Sequence, residues 1–250
     1  MDAAARALIE QVAEALTQQR HGVAVTGAGI SVDSGIPDFR SPGGLWDRFD
    51  PMEYATIDAF RRDPGKVWQM LVEFDDLLRA ADPNPGHLAL ARLERAGVLD
   101  GLVTQNVDNL HQQAGSVHVV EFHGNGSQLV CVACGARSAA AEADRATIPP
   151  TCACGAVLKP DVIFFGEMIP EAALKRSMEL VERCKVMLVI GTSATVAPCS
   201  MIPVAARRQG AMMAEFNLEA TELTASCNVA VFASASESLP LLAEAVEARL

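Results

Sequence analysis

Residues 27–40 read Gly-Ala-Gly-Ile-Ser-Val-Asp-Ser-Gly-Ile-Pro-Asp-Phe-Arg, and they follow the short apolar run of residues 23–25. The apolar run predicts a buried strand, and closely spaced glycines after a strand are typical of a nucleotide-binding fold. Gly27 and Gly29 carry no Cβ, so the backbone here can approach a pyrophosphate closely. A pair of glycines is also common in tight strand-to-helix turns, so this pair alone is a weak signal.

The stretch departs from the ordinary dinucleotide fingerprint. That fingerprint is Gly-x-Gly-x-x-Gly, followed about 20 residues later by an acid at the end of the next strand. Val32 stands at the third glycine position, and no apolar run precedes Asp47 or Asp50, which lie at roughly the required distance. The sequence therefore disfavours a hydride-transferring dehydrogenase.

Taken whole, residues 27–40 resemble the cofactor-binding signature of the sirtuins, the NAD-dependent protein-lysine deacylases. The same resemblance extends, in the family's order, over almost the whole chain. Beside two cysteine pairs, it includes residues 104–111 (Thr-Gln-Asn-Val-Asp-Asn-Leu-His), 121–124 (Glu-Phe-His-Gly), 159–167 (Lys-Pro-Asp-Val-Ile-Phe-Phe-Gly-Glu), 191–193 (Gly-Thr-Ser) and 217–219 (Asn-Leu-Glu). The resemblance implies an enzyme that consumes NAD as a co-substrate and yields nicotinamide, free lysine and O-acyl-ADP-ribose.

Apolar runs separated by helices or insertions predict the strands of one sheet. These runs cover residues 23–25, 102–103, 117–122, 186–190, 212–216 and 229–232. Most are too continuous for a half-exposed strand, which favours a parallel sheet covered on both faces. Helices are predicted over residues 1–19, 51–60, 66–80, 87–96 and 238–250.

We therefore predict an α/β fold, a doubly wound, Rossmann-like parallel sheet with a smaller module made of a helical insertion and a zinc ribbon. The Rossmann-like NAD-binding domain is expected to comprise residues 1–40, 85–125 and 160–250. Residues 41–84 would form the helical insertion with a cofactor loop, and residues 126–159 the zinc-ribbon insertion.

Composition limits the possible partners. The chain has 250 residues, half of them apolar, and a net charge of −11, which excludes nucleic-acid binding by bulk electrostatics. The acidity suits basic, lysine-bearing segments, although it also simply keeps a protein in solution. No run approaches the about 18 apolar residues of a membrane span, and the start lacks the basic flank of a secretory signal. We expect a cytoplasmic monomer whose seven cysteines include metal ligands rather than disulfides.

Two close cysteine pairs predict a metal site: Cys131 with Cys134, and Cys152 with Cys154. Four thiolates at this spacing can surround one tetrahedral zinc, and because no coordination position stays open the ion would be structural. The second pair is Cys-x-Cys where the family usually has Cys-x-x-Cys, with Thr151 at the position of the first of those cysteines. A weakened or lost zinc site and a disulfide remain the alternatives.

His123 follows the predicted strand of residues 117–122 and precedes Gly124. At the carboxyl end of a buried strand it should face the crevice in which a cofactor binds. A histidine can accept a proton near neutral pH, although a lone histidine is more often structural. The resemblance makes His123 the general base that deprotonates a ribose hydroxyl, and leaves His111 a supporting role in its loop.

Gln105, Asn106 and Asp108 follow the predicted strand of residues 102–103. Amide side chains can donate and accept hydrogen bonds, which suits ribose hydroxyls and a carboxamide. By resemblance, Gln105 contacts the nicotinamide ribose. Asn106, which we also place among the catalytic residues, and Asp108 would shape the nicotinamide pocket together with Ile36 and Asp38. Read without the family, these residues could instead form a loop capped by its own side chains.

The resemblance distributes the other cofactor contacts along the crevice. Phe39 would cover the reacting ribose, and the planar guanidinium of Arg40 suits the pyrophosphate. Ala28, between Gly27 and Gly29, would lie against the phosphates. The remaining contacts follow later strands or rest on family position: Gly191, Thr192, Ser193, Asn217, Leu218, Glu219 and Ala235.

The acyl-lysine channel is assigned to a short apolar segment: Val162, Ile163, Phe164, Phe165 and Gly166. An extended segment can pair with a substrate strand through main-chain hydrogen bonds and wrap an aliphatic stem. Without the family, the same run is simply a buried strand. The expected partners are proteins or peptides that carry acyl-lysine.

One branch of the sirtuins binds acidic acyl groups such as succinyl with a Tyr and an Arg of the helical insertion. Aligned on residues 62–64, those positions fall at Leu71 and Phe74, and residues 67–74 contain no arginine. A succinyl carboxylate would lack a partner, so we expect a preference for acetyl or apolar acyl groups. The alternative is that these apolar side chains only pack the helix.

Three other functions compete with the deacylase. A mono-ADP-ribosyltransferase or NAD glycohydrolase would use the same site with a different acceptor, and the intact segment of residues 162–166 argues against it. A non-catalytic NAD sensor predicts a damaged motif around His123, and that motif is whole. A dehydrogenase is disfavoured by Val32.

Overall fold

The computed structural model of the protein describes residues 1–39, 41–144 and 147–250. Its helices are α1 (Ala3–Gln19), α2 (Leu45–Arg48), α3 (Pro51–Tyr54), α4 (Ile57–Arg62), α5 (Pro64–Ala80), α6 (Pro85–Arg95), α7 (Leu110–Gln113), α8 (Glu171–Arg183), α9 (Met201–Arg208) and α10 (Ala235–Glu247). Its strands are β1 (Gly22–Thr26), β2 (Leu99–Thr104), β3 (Val119–Glu121), β4 (Gly124–Cys131), β5 (Arg137–Ala139), β6 (Leu158–Val162), β7 (Val186–Ile190), β8 (Met212–Asn217) and β9 (Val229–Phe232). None of these helices is long and apolar enough to cross a lipid bilayer.

Within the described residues, six parallel strands form the main sheet in the order β3-β2-β1-β7-β8-β9. Numbered within this sheet alone, the order is 3-2-1-4-5-6, which is typical of dinucleotide-binding folds. The chain changes direction across the sheet between β1 and β7, so a crevice opens at the carboxyl ends of these two strands. The predicted Rossmann-like sheet is confirmed.

Helices cover both faces of this sheet because successive side chains of a strand point to opposite sides. Ala24 of β1 packs in a core with α1, α6 and α10. Its neighbours Val23 and Val25 pack in a second core with α8 and α9. Strands buried on both faces need continuous apolar sequences, which is why the apolar runs located them.

A smaller module combines the antiparallel sheet β5-β4-β6 with the helices between β1 and α6. Trp68 of α5 is buried, and its Nε1 donates a hydrogen bond to the carbonyl of Leu158 in β6 at 2.9 Å. Both residues lie in one core with Leu129 and Phe164. The helical insertion and the four-cysteine ribbon therefore pack together, while the exact domain boundaries given above remain predictions.

The helix predicted over residues 51–60 is interrupted, and this prediction was wrong at that point. The Phe165 N–H donates to the carbonyl of Ala55 at 2.9 Å, and the Ile57 N–H donates to the carbonyl of Phe165 at 3.0 Å. These bonds hold residues 55 and 56 out of the helix, so α3 ends at Tyr54 and α4 begins at Ile57. A contact with a segment more than a hundred residues away thus overrides the local pattern.

The strand predicted over residues 117–122 is shorter in the structure, where it is only β3. The backbone N–H of Val117 donates to the carboxylate of Glu94 at 3.0 Å rather than to a neighbouring strand. The Val117 side chain is exposed, so its apolar character does not reflect burial.

Candidate active site

The crevice between β1 and β7 is built from two backbone loops in close contact. The Gly29 N–H donates to the carbonyl of Gly191 at 2.8 Å, and the Gly27 N–H donates to that of Ile190 at 3.1 Å. Gly191 has a φ of +57°, and a Cβ there would lie 2.3 Å from the backbone nitrogen of Ile30. These glycines therefore serve the contact between the loops as well as leaving room for a ligand, a need that the sequence pattern did not reveal.

Two amide side chains lie beside these loops at the carboxyl end of β2. The Gln105 amide donates to Thr192 Oγ1 at 2.9 Å. The Asn106 amide donates to the carbonyl of Gly27 and to Ser31 Oγ, both at 3.1 Å. The three loops after β1, β2 and β7 are thus tied together, and both amide residues line the crevice.

His123 follows β3 after one residue and is half-buried, with its side chain at the wall of the crevice. Its Nδ1 lies 3.1 Å from the carbonyl oxygen of Gln105. Because a carbonyl can only accept, this geometry assigns the proton to Nδ1 and leaves Nε2 free to accept one. Burial lowers the pKa of His123, partly opposed by the hydrogen bond to Gln105, so the neutral imidazole is favoured.

One cavity of about 1130 Å³ connects nearly all of the predicted site residues. The predicted cofactor contacts that line it are Gly27, Ala28, Gly29, Asp38, Phe39, Gln105, Asn106, Gly191, Thr192, Ser193, Asn217, Leu218, Glu219 and Ala235. The predicted substrate residues line it as well: Val162, Ile163, Phe164, Phe165 and Gly166. Arg40 lies outside the described residues, so its assignment to a pyrophosphate stays a prediction.

Glu215 holds the site residue Asn217 from behind the cavity wall, and the sequence motifs did not reveal it. It is fully buried in β8, where its carboxylate accepts hydrogen bonds from the Asn217 amide at 2.8 Å and from Thr221 and Thr224, both at 2.5 Å. The Asn217 amide also donates to the carbonyl of Thr192 at 3.2 Å. A lone acid within an apolar strand is the signal that would have identified it, since a buried charge needs several partners.

Asp108 lies beneath the crevice rather than on its wall. Its carboxylate accepts hydrogen bonds from Ser31 Oγ at 2.7 Å and from the Leu110 N–H at 3.0 Å. Two buried histidines adjoin it: His87 Nε2 lies 3.4 Å from Ser31 Oγ, and the rings of His87 and His111 are 4.9 Å apart. Asp108 therefore stabilises the loops after β1 and β2, and its predicted part in a nicotinamide pocket stays a prediction.

The two buried histidines should make the fold sensitive to acid. Burial lowers the pKa of His87 to about 4, against an opposing effect of Asp108, and burial and His87 lower the pKa of His111 well below its usual value. An unfolded chain binds these protons more readily, so stability should fall as the pH drops from about 6.5 to about 4, by about 1.4 kcal/mol per pH unit for each histidine.

Urea denaturation at several pH values between about 4 and about 6.5 measures the slope of the free energy of unfolding against pH. Acidic side chains also contribute to acid unfolding, so His87→Asn is the informative comparison. Its slope should be shallower than that of the unmodified protein by about 1.4 kcal/mol per pH unit. Identical slopes would show that His87 does not titrate on unfolding.

The two cysteine pairs meet at one point in the smaller module. The sulfur atoms of Cys131, Cys134, Cys152 and Cys154 all lie within 4.8 Å of one another. Cys131 Sγ is 3.5 Å from Cys154 Sγ, and Cys134 Sγ is 3.7 Å from Cys152 Sγ. Four thiolates at about 2.3 Å around a tetrahedral zinc stand about 3.8 Å apart, so the spacing fits one structural ion. The shortened Cys-x-Cys pair thus does not prevent a four-sulfur site.

Comparison with known proteins agrees with this geometry. The model of the Sir2 family matches residues 27–198. A relative from Pyrobaculum aerophilum, named NAD-dependent protein deacylase 2, is 45% identical over 240 residues, and the match covers 96% of each of the two chains. A Pyrococcus furiosus protein named NAD-dependent protein deacylase is 39% identical over 245 residues, which cover 96% of this chain and 98% of the relative.

Solved structures show the same fold. A Sir2 homologue in complex with NAD superposes with a TM-score of 0.91 at 39% identity, covering 96% of this chain and 94% of that one. A Sir2 protein with a p53 peptide and NAD⁺ has a TM-score of 0.87 at 32% identity, covering 94% of this chain and 97% of that one. With its sheet order, its joined cavity and its four-cysteine ribbon, this chain belongs to the Sir2 family.

Proposed function

We propose that this protein is an NAD-dependent protein-lysine deacylase that yields nicotinamide, free lysine and O-acyl-ADP-ribose. The observation that carries the proposal is the single cavity that joins His123, the two glycine loops and the segment of residues 162–166. Relatives are named as NAD-dependent protein deacylases, and Sir2 neighbours have been solved with NAD and with a peptide, which supports the same ligands for this chain.

The crevice residues would position the cofactor for reaction. When bound, NAD supplies an anomeric carbon whose leaving group, nicotinamide, carries a positive charge. Gln105 and Asn106 would hold the adjacent ribose and the ring, since their amides already lie at the carboxyl end of β2. Phe39, whose ring packs 5.1 Å from that of Trp46, would cover the ribose and exclude water from a cationic transition state.

His123 would act as the general base. The acyl-lysine amide oxygen would first bond to the anomeric carbon as nicotinamide leaves. Nε2 would then accept the proton of a ribose hydroxyl, and the freed oxygen would bond to the former amide carbon. Loss of the lysine amine and addition of water would give O-acyl-ADP-ribose. The hydrogen bond from Nδ1 to the carbonyl of Gln105 fixes the orientation of the ring during this step. Since burial lowers its pKa, the imidazole is in the neutral, proton-accepting form at neutral pH.

The acyl end of the cavity favours apolar groups. Leu71 is buried at the cavity wall beside Phe74 and Trp68. The described residues that line the cavity include no Lys or Arg. Glu73 lies outside the cavity wall and forms an ion pair with Arg48, so it neither repels nor attracts an acyl group. A carboxylate on the acyl group would lose hydration without gaining a cationic partner.

Acetyl-lysine and decanoyl-lysine peptides should therefore be turned over at least about tenfold faster than a succinyl-lysine peptide, as kcat/KM, because an unpaired buried carboxylate costs more than about 1.4 kcal/mol. The kcat/KM values are compared for peptides of one sequence that differ only in the acyl group, at saturating NAD. Phe74→Arg places a cation at the cavity wall and should reduce the difference in kcat/KM between the acetyl-lysine and succinyl-lysine peptides. Faster succinyl removal by the unmodified protein would overturn the acyl preference, and ADP-ribosylated protein without deacylation would favour the transferase alternative.

Gly191→Ala should weaken NAD binding by at least about tenfold, because relieving the clash of a new Cβ with the glycine loop costs about 1–3 kcal/mol. Isothermal titration calorimetry measures the Kd. Gly210→Ala is the matched control, since Gly210 also has a positive φ, +87°, but a Cβ added there would meet no atom within 4 Å. Equal NAD affinity in the two variants would contradict the steric argument.

A further inference from the structure

The acyl-lysine segment of residues 162–166 is held by an ion pair to which the sequence motifs assign no role. Lys159 of β6 is buried, with 9% of its side chain exposed, and it does not belong to the cavity wall. Its Nζ donates to the carbonyl of Val162 at 2.6 Å and to Glu167 Oε2 at 3.0 Å. The same ammonium lies 4.7 Å from the centre of the Phe164 ring.

Glu167 completes the arrangement from the other end of the segment. Its Oε2 accepts a hydrogen bond from the Phe164 N–H at 2.8 Å, and its own N–H donates to the Phe164 carbonyl at 3.0 Å. The chain between Lys159 and Glu167 is therefore closed into a loop by side chain and backbone together. Gly166, with a φ of +88°, allows the turn that brings Glu167 back.

This ion pair is not a general stabiliser of the core. Burying an ammonium is costly, and an apolar side chain of the same size would often stabilise a core at least as well. The pair instead fixes the orientation of the backbone, because its hydrogen bonds hold the Val162 carbonyl and the Phe164 N–H on the two sides of Ile163. The Ile163 N–H is itself directed at the carbonyl of His123, at 2.9 Å.

We propose that Lys159 and Glu167 are positioning residues that set the acyl-lysine segment in register with His123. The inference rests on the proposed function, since it concerns the binding of the acyl-lysine peptide. Without the ammonium, the Val162 carbonyl and the Glu167 carboxylate lose their shared partner, and the segment is free to move relative to His123. Peptide binding should then weaken, while the glycine loops after β1 and β7 keep their affinity for NAD.

Steady-state kinetics with an acetyl-lysine peptide, together with NAD titration calorimetry, test this. Lys159→Met removes both hydrogen bonds of the ammonium and should raise the KM for the peptide at least about tenfold, while the Kd for NAD stays within about twofold. Lys159→Arg keeps a cation that can donate to both oxygens and should restore most of the peptide KM.

Lys66→Met is the matched control. Lys66 forms a comparable pair with Glu53 at 2.6 Å and lies 4.9 Å from the Tyr54 ring, but this pair is on the surface and away from the cavity. Its peptide KM should not change. Should Lys159→Met fail to fold, Glu167→Gln, which keeps the shape but not the charge, should raise the peptide KM in the same direction.

The outcomes separate a positioning role from a structural one. A lower kcat with unchanged peptide KM, or equal loss of peptide and NAD binding in Lys159→Met, would overturn the positioning role. Absence of acyl-lysine turnover by the unmodified protein would instead contradict the proposed function itself.

Discussion

Replacing His123 by alanine should lower the rate of O-acyl-ADP-ribose formation by about a thousandfold, within the range that loss of a general base produces. The imidazole is the group at the cavity wall whose Nε2 is free to take a ribose proton, since Nδ1 is engaged by the Gln105 carbonyl. NAD binding should persist, because the glycine loops and the amides after β2 do not depend on the ring.

The measurement is the rate of O-acetyl-ADP-ribose production by mass spectrometry, with NAD affinity measured on the same sample. His118→Ala is a suitable control, because His118 is exposed, pairs with Glu94 and lies outside the cavity. It should retain full activity. An active His123→Ala variant would show that another group takes the proton.

Cys152→Ser should remove the zinc ion and abolish deacylase activity. Structural zinc contributes about 10 kcal/mol or more to the folding of small modules, so the loss of one thiolate should leave the ribbon unfolded. The effect should reach the active site because β4 begins directly after His123 and pairs with β6, which ends at Val162. The ribbon core also contains Trp68 and Phe164.

Metal content by plasma mass spectrometry should be one zinc per chain before the change and near zero after it. Cys199→Ser is the control, since Cys199 is buried outside the cluster and burial raises the pKa of its thiol to about 12, which keeps it protonated and inert. It should keep its zinc. A Cys152→Ser variant with full zinc and full activity would contradict the four-thiolate site.

The sequence alone was sufficient to predict the strands that are buried on both faces and the site residues that belong to long motifs. The strands of the parallel sheet are buried on both faces, so apolar runs found them, and the sheet order then brought residues 27–29 and 191–193 together. His123 could be placed because a strand, a glycine and a family motif agree on its position. The four cysteines could be grouped because thiolate pairs have few other uses in a chain of this type.

Tertiary contacts decided what the sequence did not reveal. Residues 55 and 56 leave the helical pattern because Ala55 and Ile57 pair with Phe165, which is distant in the chain. Glu215 and Lys159 received no role because a charged residue within a strand does not by itself reveal its hydrogen-bond partners. Their hydrogen bonds depend on loops that follow the strand, whose course no local pattern specifies.

The most direct test of the deacylase mechanism is a product balance with purified protein, NAD and an acetyl-lysine peptide, measured by mass spectrometry in one sample. Nicotinamide, deacetylated peptide and O-acetyl-ADP-ribose should appear in equal amounts. Nicotinamide accompanied by free ADP-ribose, with the peptide still acetylated, would contradict the claim that this cavity uses acyl-lysine to capture the ribose of NAD.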